Sequence, residues 1–541
     1  EAALLAFLET YKDAVSAWAV AAQFATRNPA HELRAADVIT KFTGAPVTCS
    51  HQLSARLNGP KRAVTAVLNA RLIGMIDRLI ARASDSLAAQ GIDARVMVVR
   101  GDGALMSAEQ ARQRPIETIL SGPAASIVGA RWLTGVENGL VSDIGGTTTD
   151  VAVLRDGRPA IDPDGARVGG FRTMVEAVAM RTTGLGGDSQ VHVETEGLSG
   201  GVSLGPRRVV PASLIALDAP GVVRDALERQ LSSPTPGELD ARFVRLVPGI
   251  SQAGLGEREA ALIDRIGDDI HPLQAVLRTR MDHGALNKLV TRGIVQVSGV
   301  TPSDASHVLG LTDTWDVDAA RLALELMARK RVGTGDRLAD NAEHLAQIII
   351  AQLQKQTSLA LLETAFAEEG DPFGPNPEAL AQHVLTHRAL THHRGLLALD
   401  AALNVPVVGL GASAPTYYPE VGTQLGCDMI LPEHAGVANA VGAIVGRVTV
   451  RKAGTVTAPS EGRYRVHLDH PEDFGDSDAA LIRLEAYLKE VAEGDARAAG
   501  ADDIEIQVFR DIKVAQAEAR DVFVQADLVV EATGRPRIAV G

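Results

Sequence analysis

The chain has 541 residues, of which 46% are hydrophobic and 22% charged, with a formal net charge of −14 at pH 7. That composition belongs to a globular protein of about three or four domains and excludes a disordered chain. The acidic balance argues against a nucleic-acid or anionic-membrane partner, and two cysteines, Cys49 and Cys427, are too few for a disulfide scaffold and read as small buried hydrophobes. The most apolar runs, such as Leu396 to Ala414, are broken by Asp400, Asn404 and Pro406, so no bilayer span is expected. Glu1 to Thr10 lacks the basic start and cleavage site of a signal peptide. A cytoplasmic location is therefore expected, and the Glu1 start, in place of Met, reads as processing or truncation.

Ala2 to about Ala25 has helical spacing, with Leu5, Leu8, Val15 and Trp18 on one side. Val47–Cys49 reads as a strand, and His51 after it is assigned no role. Val64, Val67, Leu68, Leu72, Met75, Leu79 and Ile80 recur at three and four and predict a helix that Gly91 stops. Arg95 to Val99 is a buried-type strand, and Ser107 with Gln110 is a capping box. Ser121-Gly122-Pro123 opens a helix to Leu133. Its free N–H groups can hold a phosphate, and a plain helix start accounts for Ser121 and Gly122 equally well.

The richest stretch is Ser142-Asp143-Ile144-Gly145-Gly146-Thr147-Thr148-Thr149-Asp150. Apolar runs Gly139–Asp143 and Asp150–Leu154 flank a Gly-rich turn, and Asp156-Gly157 makes a second turn before Arg158–Ile161. The prediction is a three-strand meander. Glycines let backbone N–H groups approach an anion, and the hydroxyls of Thr147, Thr148 and Thr149 add donors. Asp143 stands where a Mg2+ bridging phosphate oxygens, or a base meeting a nucleophile, would be.

Further on, Thr182 to Ser189 is a second Gly-rich turn, with Asp188 as a metal ligand or a turn cap. Residues 200–316 read as a mixed insertion, in which capping is the simplest account of Asp304. A long helix is predicted from about Arg337 to Ala367. His383, His387, His392 and His393 cluster without a carboxylate partner in sequence. Val405–Val408 reads as a strand, Gly409-Leu410-Gly411-Ala412 as a Gly-rich turn, and Tyr418–Leu425 as the helix after it. Beyond Arg447, strands surround a helix capped by Ser477.

Asp-Ile-Gly-Gly-Thr-Thr-Thr-Asp, with Thr118-Ile119-Leu120-Ser121-Gly122-Pro123-Ala124-Ala125 upstream, resembles the hydantoinase A/oxoprolinase family, from about Val64 to Val448. The resemblance implies an α/β chain with the actin-like (RNase H-like) ATPase fold, a mixed insertion and a small C-terminal α+β domain. The expected divisions are 1–135 as the remnant of a first ATPase lobe with connecting helices, 136–200 with 330–448 as the second lobe, 201–329 as the insertion, and 449–541 as the C-terminal domain. It implies ATP and Mg2+ (or Mn2+) as cofactors. Asp143 and Asp150 are then catalytic, and Asp143 and Asp188 hold metal. Gly145, Gly146, Thr147, Thr148, Thr149, Ser121, Gly122, Gly186 and Gly187 lie on the phosphates, and Gly409, Gly411 and Ala412 form the adenosine-side loop. A branched residue at Gly411 is then expected to weaken nucleotide binding and spare the fold. The implied reaction is phosphorylation of the carbonyl oxygen of a lactam, hydantoin or similar substrate ahead of ring hydrolysis, with a B-type partner subunit in a hetero-oligomer. The alternatives are a subunit of an ATP-dependent ketone carboxylase and a nucleotide-responsive module that remodels a partner. Two departures stand out. The second loop of the family is usually Gly-Gly-Gly-Ser, where this chain has Asp188. The first-lobe Asp-x-Gly-Gly-Thr hairpin has no counterpart before Ser142, which implies a fragment, a lobe supplied by another polypeptide, or lost ATP turnover.

Overall fold

The computed structural model describes residues 1–54, 56–196, 200–370, 373–374, 376–468, 470–517 and 520–537. They fall into two compact units. One comprises 138–153 and 180–437, the other 1–137, 154–179 and 438–541. The segment 201–329 thus lies wholly in the first of these, and 449–541 shares the other with the N-terminal 137 residues.

The 138–153/180–437 unit contains strands β1 (Gly139–Ile144), all but the last two residues of β2 (Thr149–Arg155), β3 (Met180–Thr183), β4 (Ser189–Val193) and β5 (Val202–Arg208), then helices α1 (Pro302–Val308) and α2 (Ala342–Glu369). Strand β6 (Val407–Leu410), helix α3 (Ala414–Leu425) and strand β7 (Met429–Ile430) complete the part that matters here. A mixed sheet runs in the order β3-β2-β1-β6-β7. Strands β1, β6 and β7 are parallel, with Leu410 opposite Asp143. Strand β3 is antiparallel to β2, so β2 alone runs backward. Burial follows the apolar runs: β6 is buried throughout, and so is β1 apart from Asp143, as expected of central strands covered on both faces. The expected third strand of the meander shrinks to a two-residue pairing, Leu154 with Pro159 and Arg155 with Arg158.

Residues 210–299 hold a separate four-stranded sheet with its own core of Val244, Leu262, Ile266, Leu273, Leu289 and Val295. One strand of that sheet runs from Val295 to Gly299. Helix α2 starts at Ala342, not near Arg337, because Asn341 caps it by accepting from the His344 N–H.

In the other unit the first helix ends at Tyr11. Trp18 stands instead in a strand, Trp18–Val20, parallel to Val47–Cys49. That pairing satisfies the backbone while Trp18 still packs on Leu8, Val38 and Ile39, so helical spacing alone misassigned it. The helix predicted to stop at Gly91 spans Gly59–Ala89, and the Ser107–Gln110 capping box is formed. Helices Ser121–Thr134 and Ala438–Val445 touch through small residues. A Cβ on Gly129 would lie 1.9 Å from the Ala438 carbonyl oxygen, and one on Gly442 1.9 Å from that of Ala125. Two C-terminal strands are 17 residues each, at Ala501–Ala517 and Arg520–Pro536. Helix Ser477–Ala498 lays Leu481, Leu484, Leu488, Ala492 and Ala496 on that sheet. Asp476, not Ser477, is its cap.

Glu32, wholly buried, is the polar hub of this unit. It accepts from the Ala22 N–H (2.7 Å), Ser50 Oγ (2.6 Å) and the His51 N–H (3.0 Å), and meets His51 Nδ1 at 2.6 Å. Burial pushes its carboxyl up, and the bonds from Ser50 and His51 more than offset that, leaving it below its ordinary value. Burial pushes the neighbouring Cys49 thiol up to about 11. Glu32, Cys49 and His51 offer donor atoms within 4.8 Å of one another, and the bonds to Glu32 tie Ala22, Ser50 and His51 together around it. Among the described residues no helix is long and apolar enough to cross a membrane.

Candidate functional site

The turn between β1 and β2 is Gly145–Thr148, closed by the Gly145 N–H on the Thr148 carbonyl at 2.9 Å. It stands at the carboxyl end of the parallel strands β1 and β6, where open α/β sheets place their ligands. Gly145 and Thr147 are exposed, and Gly146 and Thr148 half-buried. The N–H groups of Gly146 and Thr147 make no hydrogen bond to the described residues. A short turn with free, accessible amides is an anion site in waiting.

Two carboxylates bracket it. Asp143 is the penultimate residue of β1 and Asp150 the second of β2, both half-buried. Thr182 Oγ1 donates to Asp150 Oδ1 at 2.7 Å. Burial pushes the Asp150 carboxyl above its ordinary value, and the charge of Asp143 adds to that. Hard oxygen donors close enough to repel one another suit Mg2+, whose charge would offset both effects.

Thr149 and the Thr182–Ser189 turn serve the hairpin from below. Thr149 is buried and donates to the Leu185 carbonyl at 2.7 Å. The Gly187 N–H donates to the Gly145 carbonyl at 3.1 Å, and the Asp188 N–H to that of Gly146 at 2.8 Å. The Gly186 N–H is taken by Ser189 Oγ. A Cβ on Gly186 would lie 2.5 Å from the Gly145 oxygen. Thr149, Gly186 and Gly187 therefore have their donors engaged; Gly186 is there for close backbone contact, and a Cβ on Gly187 would meet Ser303 Oγ at 2.9 Å. Their expected place on the phosphates is corrected accordingly.

Asp188 is buried and paired with Arg208, which reaches Oδ2 through Nη2 at 2.9 Å and Nε at 3.2 Å; Ser303 Oγ donates to Oδ1 at 3.3 Å. An ion pair stands where a second metal ligand was expected, and the guanidinium there repels a cation.

The Gly-rich segment after β6 also differs from expectation. Gly409 lies inside β6, and a Cβ on it would stand 2.8 Å from the Tyr418 ring. Gly411 has φ +106°, and a Cβ on it would stand 2.1 Å from the Ile144 carbonyl oxygen. Both glycines are packing glycines, so Gly411 cannot take a branched side chain without disturbing the fold. Ala412 and Ser413 form the turn into α3, with Gly436 against Ala412. Gly411 and Ala412 thus do lie beside the end of β1.

Ser121 and Gly122 belong to the other unit, at the first turn of helix Ser121–Thr134. Gly122 is exposed, with nothing within 4 Å of a Cβ. The histidine cluster does have a carboxylate: His392 Nδ1 meets Asp400 Oδ1 at 2.9 Å on an exposed loop, and His383 caps the helix Val384–Leu390.

Residue patterns gave no notice of Tyr418, whose hydroxyl donates to Ser142 Oγ at 2.7 Å, or of Tyr417, which meets Ser306 Oγ at 3.0 Å. Burial pushes the Tyr417 hydroxyl up to about 12. A tyrosine pair in a chain with 3% aromatics was the available signal. Asp304 caps α1 through Thr301 and also holds Ser213 through its N–H and Oγ, at 2.8 and 2.6 Å.

Comparison with known proteins agrees with the motifs. Residues 62–452 match the family model described as hydantoinase/oxoprolinase. The chain is 27% identical over 212 residues to the caprolactamase subunit alpha of Pseudomonas jessenii, covering 38% of this chain and 30% of that one. It is 29% identical over 198 residues to the acetophenone carboxylase gamma subunit of Aromatoleum aromaticum, covering 33% and 25%. These matches thus span less than a third of each relative. The fold is shared with the ATP-dependent caprolactamase of Pseudomonas jessenii, at TM-score 0.59 and 17% identity, over 100% of this chain and 68% of that one. It is also shared with nucleotide-free acetone carboxylase, at TM-score 0.51 and 16% identity, over 97% and 67%. With the family model matched over most of its length, the chain belongs to the hydantoinase/oxoprolinase family.

Proposed function

We propose that this chain is an ATP-dependent enzyme subunit with an actin-like ATPase fold, which transfers the γ-phosphoryl group of ATP to the carbonyl oxygen of a lactam, hydantoin or similar cyclic amide. The observation that carries the reading is the Gly145–Thr148 turn, with free amides at Gly146 and Thr147, between Asp143 and Asp150 at the carboxyl end of β1 and β6. The amides, with the hydroxyls of Thr147 and Thr148, bind the terminal phosphates. Asp143 and Asp150 hold Mg2+, or Asp143 orients the attacking oxygen. Mg2+, when bound, neutralises charge on the phosphate oxygens. The turn from Gly411 to Ser413 faces the adenosine side. Transfer breaks the bond between the γ-phosphorus and the bridging oxygen, releases ADP and leaves an O-phosphorylated amide. Water then attacks the activated carbon, the ring nitrogen leaves as an amine to give a ring-opened acyl phosphate, and a second water hydrolyses that to carboxylate and phosphate.

Relatives named as subunits support a hetero-oligomer, in which a B-type partner shelters the reactive adduct and completes the second step. The chain alone then hydrolyses ATP weakly and without coupling. A ketone carboxylase is the second reading, favoured by the carboxylase relatives at 28–29% identity. The test measures ADP release and product formation by the chain, with and without its partner subunit, on panels of lactams, hydantoins and ketones. Lactam- or hydantoin-stimulated ADP release with ring-opened product supports the first reading, and bicarbonate-dependent product from a ketone the second. ATP binding with no response to any carbonyl compound favours the partner-remodelling alternative, and no ATP binding at all sinks the whole assignment.

A further inference from the structure

We propose that Arg208, fixed by Asp188, is a phosphate-binding cation of the Gly145–Thr148 turn, directed at the terminal phosphate of a nucleoside triphosphate. The inference rests on the nucleotide reading above. Its starting point is an asymmetry: the Asp188 side chain is 9% exposed, whereas its partner Arg208 is 59% exposed. Both Nε and Nη2 of Arg208 bind the same oxygen, Oδ2, and Nη1 has no hydrogen-bond partner among the described residues. The guanidinium is held along one edge and open along another.

Its position is set by backbone. Arg208 ends β5 and pairs with Ser189 of β4. Asp188, just before β4, is tied to the phosphate turn by its own N–H on the Gly146 carbonyl at 2.8 Å. A methyl group on Gly146 would come within 2.6 Å of Asp188 Oδ2 and 3.7 Å of Arg208 Nη2. The cation therefore flanks the residue whose amide is free. Burying a carboxylate is costly unless its charge is met. Here that cost orders one exposed guanidinium, whose planar donors match phosphate oxygens. Ser303 Oγ donates to the Gly187 carbonyl at 2.9 Å and lies 3.3 Å from Oδ1, so α1 is tied to the same turn. Asp188 is thus a positioning residue and Arg208 the binding group.

The test is calorimetric titration of the full-length chain with ATP and ADP in the presence of Mg2+. Arg208→Gln is expected to weaken ATP by about 10- to 100-fold, roughly the worth of a charge-assisted hydrogen bond, and ADP by much less. Arg208→Lys retains part of the ATP preference. Because Arg208→Gln strands a buried carboxylate, the double variant Asp188→Asn with Arg208→Gln is measured alongside and is expected to show the same loss. Asp188→Asn alone lowers the ratio of ATP to ADP affinity, which a merely structural role leaves unchanged. ATP affinity within twofold of wild type in the double variant overturns the role of Arg208 and leaves the nucleotide reading standing. A wild-type chain that binds no ATP overturns both.

Discussion

The Tyr418 hydroxyl donates to Ser142 Oγ at 2.7 Å and lies 3.0 Å from the Ser142 carbonyl oxygen, one residue before Asp143. Helix α3 is thereby pinned to the strand that presents the carboxylate. Both partners are buried, and burial pushes the Tyr418 hydroxyl well above its ordinary value, so it stays a donor at any working pH. Tyr418→Phe removes the donor and leaves Ser142 unsatisfied, which costs about 1–2 kcal/mol. Urea denaturation should show a lower midpoint with an unchanged slope, and an unmoved midpoint would show that the hydroxyl carries nothing.

Asp143→Asn keeps the shape of the site and removes its charge. ATP turnover should fall by at least about a hundredfold, with the denaturation midpoint nearly unchanged. A variant that turns over ATP at the wild-type rate rules Asp143 out.

Gly411→Ala should destabilise by about 2–4 kcal/mol, because the new Cβ meets the Ile144 carbonyl oxygen at 2.1 Å in a backbone conformation with φ +106°. Gly122→Ala is the control. Nothing lies within 4 Å of its Cβ and the site is helical, so the change should stay within about 0.5 kcal/mol. Equal melting temperatures for the two variants would refute the packing role of Gly411.

His467 supplies a pH signature. Its Nε2 accepts from Arg27 Nη1 at 2.9 Å and meets Thr457 Oγ1 at 2.8 Å. Burial, then the charge of Arg27, lowers its pKa from 6.5 to about 4. Between those values the unfolded chain binds the proton and the folded chain does not, so stability rises with pH. The stability His467 contributes is complete above about pH 6.5 and is lost as pH falls through 4. His467→Gln should flatten that part of the melting curve against pH; an identical profile in the variant would exclude the contribution.

Much of the fold was legible because it is local. Apolar runs and a Gly-rich turn mark β1 and β2, and a spacing of three and four marks the helix Gly59–Ala89. The Ser107–Gln110 and Thr301–Asp304 caps need only four neighbouring residues. The turn at Gly145–Thr148 and its two aspartates were readable for the same reason. The chain's own letters also determined its family, since the motifs there are contiguous.

The tertiary structure decided what distant residues do to one another. Tyr418 and Ser142 are 276 residues apart, and Arg208 and Asp188 are 20 apart, one at the end of a strand and the other in a turn; no local pattern encodes either contact. Trp18 fitted a helical stripe, yet its partner strand lies at Val47–Cys49. Glycine is the clearest case. Gly146, Gly186, Gly409 and Gly411 look alike in sequence, because a turn, an anion's approach and close packing all require a missing Cβ. Only the neighbours of that absent atom tell them apart: the Asp188 carboxylate at Gly146, a backbone carbonyl at Gly186 and Gly411, and an aromatic ring at Gly409.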